Sequence, residues 1–210
     1  MHLLNALPHD LLEIGGSQDL LPSDQQPAWV QASLTEAPFV VVRRARWLNG
    51  LVPVGVRGRS REQRFAAYLA PQSILRRFTP EQLTNQHLSI DATRRETVPA
   101  LAALVSCRPM FSYLVYGPTG SVGFELASGL PTATRLSDLD LLVRTVDWLP
   151  LDSARDLVAA VAGFPCRVDV LLETAVGAMS LTEYARGEPS LLVRRIAGPA
   201  LIRHPLINSG

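Results

Sequence analysis

A chain of 210 residues with 47% hydrophobic and 19% charged residues can bury one large core or two small ones, which excludes the disordered class. A formal net charge of +1 gives no generally basic surface, so no nucleic acid is expected as a partner. All 20 basic residues are arginine, which excludes a Walker-A lysine, a Schiff base and a lysine nucleophile, and leaves any phosphate clamp to arginine forks or backbone N–H groups.

No apolar run approaches the roughly 20 residues that span a bilayer, so no membrane is expected as a partner either. The opening Met1-His2-Leu3-Leu4-Asn5 lacks a basic n-region, and Pro8, His9 and Asp10 break any signal-like run; a cytoplasmic location is expected. Cys107 and Cys166 are too few for a disulfide framework and lack metal-ligand spacing, so buried reduced thiols are expected.

In chain order, residues 1–35 read as irregular, broken by Gly15-Gly16, Pro22 and Pro27. Phe39 to Arg43 is a β-branched run that predicts a strand, Asn49-Gly50 is a hairpin signal, and Val52 to Val56 resumes an extended pattern. Arg61 to Tyr68 reads as helical, and Thr79-Pro80 as an N-cap followed by proline at the first helical position. Thr97-Val98-Pro99 opens a further helix to about Cys107.

Strand and helix alternate from there. A strand over Ser112–Tyr116 leads into the turn Gly117-Pro118-Thr119-Gly120-Ser121 and a helix over Val122–Ala127. Further strands are predicted over Leu139–Val143 and Arg167–Leu172, with a helix over Leu151–Val161 between them. A soft boundary near 95–97 divides an N-terminal substrate- or carrier-binding unit (1–95) from a catalytic unit (96–210).

The chemistry concentrates in Ser137-Asp138-Leu139-Asp140-Leu141. Residues two apart on a strand share a face, so Asp138 and Asp140 project together. Paired carboxylates repel unless something neutralises them, and magnesium takes one or two carboxylates together with substrate phosphates. Asp169, on the otherwise apolar strand Val168-Asp169-Val170, completes a three-carboxylate site if the two strands pair. Such a site suits in-line phosphoryl transfer, with Asp138, Asp140 and Asp169 around Mg2+ and Asp169 as the acceptor of a hydroxyl proton. Gly117, Thr119, Gly120 and Ser121 form a turn whose backbone can approach phosphate at a helix N-terminus.

These residues resemble the nucleotidyltransferase superfamily, of polymerase-beta-like fold, with its Gly-Ser turn, Asp-x-Asp strand and third strand carboxylate. The 16 residues between Ser121 and Asp138 exceed the usual spacing and imply a longer connecting loop. The resemblance implies an α+β protein: a nucleotidyltransferase core with a mixed sheet, plus a smaller N-terminal α+β unit.

A closer resemblance is to phosphoribosyl-dephospho-CoA transferase, the holo-acyl-carrier-protein synthase of malonate decarboxylase. It rests on Pro8-His9-Asp10-Leu11-Leu12, on Val52 to Gly58, on Tyr116-Gly117-Pro118-Thr119-Gly120-Ser121-Val122-Gly123-Phe124-Glu125-Leu126, and on Ser137 to Leu142. It implies transfer of a phosphoribosyl-dephospho-CoA group from triphosphoribosyl-dephospho-CoA to a serine of the acyl carrier protein subunit of malonate decarboxylase, releasing pyrophosphate. The family's paired catalytic aspartates fall on Asp138 and Asp140. The rival readings are another hydroxyl acceptor, a small molecule or tRNA, and a nucleotide-binding module without turnover.

Between Arg43 and Arg64 seven arginines face one acid, Glu62. Arg57, Arg59 and Arg61 share a side if extended, suiting a triphosphate or an acidic carrier protein, or forming a solvated face. Trp47 either stacks on adenine or packs; His9 either contacts phosphate or sits in a turn in which Asp10 caps a helix; His204 reads as structural or exposed, and Glu125 as a first-turn helix acid.

Overall fold

Phe39-Val40-Val41-Val42 is too short and too β-branched to be stable as a helix, and it forms β3 at the heart of the first sheet. The computed structural model describes residues 6–22, 24, 26–60, 62–85 and 90–207, and the chain divides into two compact units, Met1–Thr79 and Pro80–Gly210. That division lies some sixteen residues before the expected boundary near 95–97, because the helix opened by Pro80 packs with the second unit.

The first unit is a six-stranded sheet in the order β2-β5-β4-β3-β1-β6, its described pairs all antiparallel. Its strands are β1 (Leu11–Ile14), β2 (Leu20–Leu21), β3, β4 (Val52–Arg57), β5 (Arg64–Leu69) and β6 (Ile74–Phe78), with α1 (Ala28–Glu36) beside them. Leu12, Val30, Leu34, Val40, Val54 and Leu69 make its core. The described part of residues 1–35 is therefore not irregular: β1 pairs with both β3 and β6, and α1 buries Val30 and Leu34. The helix expected over 61–68 is strand β5, because Arg64–Leu69 pairs residue for residue with β4 and buries Ala67 and Leu69, and partners override a weak local preference. Asn49 and Gly50 both take positive φ, 50° and 79°, in the two-residue hairpin turn their chemistry predicts.

The second unit is built on a mixed sheet in the order β12-β11-β10-β9-β8-β7. Its strands are β7 (Val115–Pro118), β8 (Leu139–Arg144), β9 (Val168–Thr174), β10 (Gly177–Ser180), β11 (Ser190–Arg195) and β12 (Gly198–Arg203). β8 and β9 run parallel, joined through α6 (Leu151–Val161), and the other neighbours are antiparallel. The remaining helices are α2 (Pro80–Thr84), α3 (Ala92–Thr97), α4 (Pro99–Phe111), α5 (Gly120–Ser128) and α7 (Leu181–Arg186). The α+β class and the mixed sheet are as expected.

Period-two alternation assigns the sheet's two faces. Leu139, Leu141 and Val143 on β8, Val170 and Leu172 on β9, Met179 on β10, and Leu191 and Val193 on β11 are buried in one core with Leu101, Leu104 and Leu157. The opposite face carries Asp140 and Asp169, which are register partners. Thr97, expected to cap α4, instead closes α3; Val98 is the residue before Pro99.

Candidate active site

Of the expected site residues, the structure brings together the glycine turn, Asp140 and Asp169. β7 delivers the chain to Thr119, whose N–H donates to the Asp140 carbonyl at 2.8 Å, and α5 starts at Gly120. Gly120 has φ +60°, a conformation that disfavours any side chain, and a Cβ built on it would lie 2.1 Å from Asp140 Oδ2. The Asp140 carboxylate therefore rests directly against the first turn of α5. Gly117 is needed for packing: a Cβ there would lie 1.8 Å from the Pro80 carbonyl, so its lack of a side chain lets α2 seat on β7.

The strand pairing that the three-carboxylate reading required is present, with Asp140 opposite Asp169 in the parallel β8–β9 ladder. Asp138 lies one residue before β8, where Leu139 N–H already donates to the Arg167 carbonyl and so continues that ladder. The charge of Asp138 also reaches the neighbouring Cys166: burial raises that thiol's pKa, the Leu139 backbone hydrogen bond opposes the rise, and Asp138 adds to it. Asp169 is engaged by its own strand neighbour, Arg167, through Nε and a terminal nitrogen at 3.0 Å from one oxygen. Among the described residues, no group of three or more His, Cys, Asp or Glu side chains is gathered tightly enough to hold a metal ion. The donor set still fits the ion the resemblance implies, because magnesium uses hard oxygen ligands and needs only one or two from protein.

The long link between Ser121 and Asp138 is held by groups that sequence reading missed. Glu125, buried but for 12% of its side chain, receives Arg94 in a forked pair at 2.7–3.1 Å and accepts the Ala133 N–H at 2.8 Å. Arg94 also donates to the Ala133 carbonyl at 2.8 Å. Thr132 Oγ1 donates to the Ser121 carbonyl, and Ser137 Oγ accepts the Thr134 N–H. Glu125 is thus more than a first-turn acid: it fixes the loop that leads to Asp138. Nothing local signals Arg94, whereas Arg167 two residues before Asp169 was legible as a same-face neighbour.

The expected extended run of Arg57, Arg59 and Arg61 ends at Arg57. Gly58 N–H turns back to the Gln63 carbonyl, and Gln63 Oε1 accepts from Arg59 and Ser60 N–H groups. Arg57 lies opposite Arg64 at the exposed end of the β4–β5 hairpin, while Arg59 pairs with Glu36 at 3.1 Å. Arg61 lies outside the described residues. Trp47 is exposed. His9, at φ 74°, sits in a turn in which buried Asp10 accepts the Leu7 N–H, and the element that follows Asp10 is strand β1 rather than a helix. His204 is buried, stacked on Tyr184, with Nδ1 accepting from Leu206 N–H, and so is structural.

Two family models match, the N-terminal domain of phosphoribosyl-dephospho-CoA transferase MdcG over residues 7–80 and its C-terminal domain over residues 83–205. The chain belongs to the phosphoribosyl-dephospho-CoA transferase family. A relative of that name from Pseudomonas syringae pv. tomato is 42% identical over 201 residues, covering 95% of this chain and 92% of the relative. Others from Pseudomonas aeruginosa and Azotobacter vinelandii are 40% and 39% identical, each covering 94% of this chain and 92% and 93% of the relative. No solved structure matches. Among the described residues no helix is long and apolar enough to cross a membrane.

Proposed function

We propose that this transferase moves the phosphoribosyl-dephospho-CoA group of triphosphoribosyl-dephospho-CoA onto a serine hydroxyl of the acyl carrier protein subunit of malonate decarboxylase. The observation that carries the reading is the Asp140 carboxylate seated against Gly120 at the start of α5, with Asp169 beside it in register. Family membership supports the transferred group, and the carboxylates beside a helix N-terminus support the chemistry.

Asp138 and Asp140 would hold Mg2+, which when bound supplies charge neutralisation for the triphosphate. The rest falls to the chain. Backbone N–H groups of the first turn of α5 and the Ser121 hydroxyl position the phosphates, and the helix N-terminus favours their charge. Asp169 accepts the serine proton as the serine oxygen bonds to the α-phosphorus and the α–β bridging bond breaks, releasing pyrophosphate. Arg57 and Arg59 are proposed contacts for substrate phosphate or acceptor, on charge alone.

The test is intact-mass measurement of the apo carrier protein after incubation with enzyme, donor and Mg2+. The carrier should gain the phosphoribosyl-dephospho-CoA mass, and Asp138→Ala or Asp140→Ala should reduce pyrophosphate release by a factor of about 10³ or more. A bare AMP adduct, or undiminished release by both variants, rejects the reading.

A further inference from the structure

The sheet face that carries Asp140 and Asp169 does not end with them. Register partners across a sheet share a face, and Arg144, Glu173, Ala178, Arg194 and Pro199 form one lateral row across β8 to β12. Two residues along β11 and β12 from that row, Leu192 and Leu201 are partners, and two further along are Ser190 and Arg203. The hairpin therefore extends the aspartate-bearing face, while its other side, Leu191 and Val193, belongs to the core. β11 runs parallel to β9, so the Ser190 and Arg203 ends point toward the Asp169 end of the sheet.

This face is exposed where a solvated strand pair would be polar. Leu201 is 74% and Leu192 45% exposed, directly opposite each other, with Arg194 on one side and Arg203 on the other. From Ser190 to Arg203 the chain holds three arginines, Arg194, Arg195 and Arg203, and no acid. Charges alone would be an ordinary device for keeping an edge strand solvated; a bare leucine pair between them is the anatomy of an interface, an apolar centre with a charged rim.

We propose that the β11–β12 face is the docking surface for the protein acceptor, a partner that presents acidic side chains around an apolar ridge. The proposal rests on the transfer reading above. A second copy of the chain is the poorer occupant, since like faces would oppose arginine to arginine, and Pro199 removes an N–H from the β12 edge. β12 lies four strands from β8, about 19 Å, a span that one small folded partner covers while its acceptor side chain reaches Asp169.

The experiment is steady-state transfer with wild-type and Arg194→Glu/Arg203→Glu enzyme, varying apo carrier protein and donor separately. The charge-reversed enzyme should show an acceptor KM at least tenfold higher, a donor KM within twofold of wild type, and a weaker dependence of acceptor KM on salt. Leu201→Ser should raise acceptor KM without altering its salt dependence. An unchanged acceptor KM in variants with native circular dichroism overturns the proposal. Titration calorimetry of apo carrier against each enzyme separates the two readings. Binding lost on charge reversal sustains the docking surface even if no group is transferred, whereas transfer with undiminished carrier binding leaves the function standing and removes the surface. A wild-type dimer in sedimentation that Leu201→Ser disperses also overturns it, by assigning the face to a second copy.

Discussion

Gly120→Ala separates the two things this glycine does. Its φ of +60° makes alanine cost about 1–2 kcal/mol by backbone strain alone. The added Cβ would also stand 2.1 Å from Asp140 Oδ2, against 3.4 Å or more for ordinary contact, so the carboxylate must withdraw by about 1 Å. Stability should fall modestly, by roughly 2–8 °C in Tm. Transfer should fall much further, by about 10²-fold, because a displacement near 1 Å at the reacting groups costs on that order. Gly129→Ala is the matched control: it has φ +74° and nothing within 4 Å of the built Cβ, so it carries the same backbone cost with no carboxylate to displace. The assay pairs thermal unfolding with pyrophosphate release for both variants. Equal turnover in the two would refute the claim that Asp140 is held by its contact with the turn.

Two further outcomes follow from the same geometry. Glu125→Gln keeps an acceptor for the Ala133 N–H but removes the charge that Arg94 grips, and should cost about 1–2 kcal/mol; an unchanged urea midpoint would deny the clamp on the 129–138 loop. Cys107 is fully buried, and burial first, then the neighbouring Cys166, pushes its thiol from 9.0 up to about 12. The unfolded chain loses that proton first, so stability is complete below pH 9 and falls by about 1.4 kcal/mol per pH unit between pH 9 and about 12. Urea titrations across that range should lose this slope in Cys107→Ala, and a slope that persists unchanged would place the alkaline sensitivity elsewhere.

The sequence disclosed the parts of the fold where local pattern and tertiary role coincide. Leu151–Val161 begins after a proline and carries a clear 3.6-residue pattern, and it is a helix over those same residues. β3, β4, β8 and β9 are apolar enough that no other use of them competes. The misread segments are those whose state is decided by a partner. Arg64–Leu69 is a strand only because β4 lies beside it, and Leu11–Ile14 because β3 and β6 flank it. The site was legible to the same degree. Period two put Asp140 on the face of β8 opposite Leu139 and Leu141, but the Arg94–Glu125 clamp joins residues 31 positions apart and leaves no trace in spacing.

Register-paired aspartates on adjacent strands need a reason to stay. Side chains directly opposite across strands stand about 5 Å apart, and like charges there are destabilising by a few tenths to about 1 kcal/mol. Arg167 answers little of that on the Asp169 side. It reaches Asp169 but is 71% exposed, and an exposed pair of this kind contributes little net stability. Replacing either aspartate by an apolar residue would be the easier way to stabilise the sheet, since Leu142 and Leu171, the next pair on the same face, are both apolar. The cost is concentrated at one end of one face, beside a turn whose Gly120 leaves room for the Asp140 carboxylate. That concentration is the physical argument for expecting a divalent cation and a triphosphate at this end of β8 and β9.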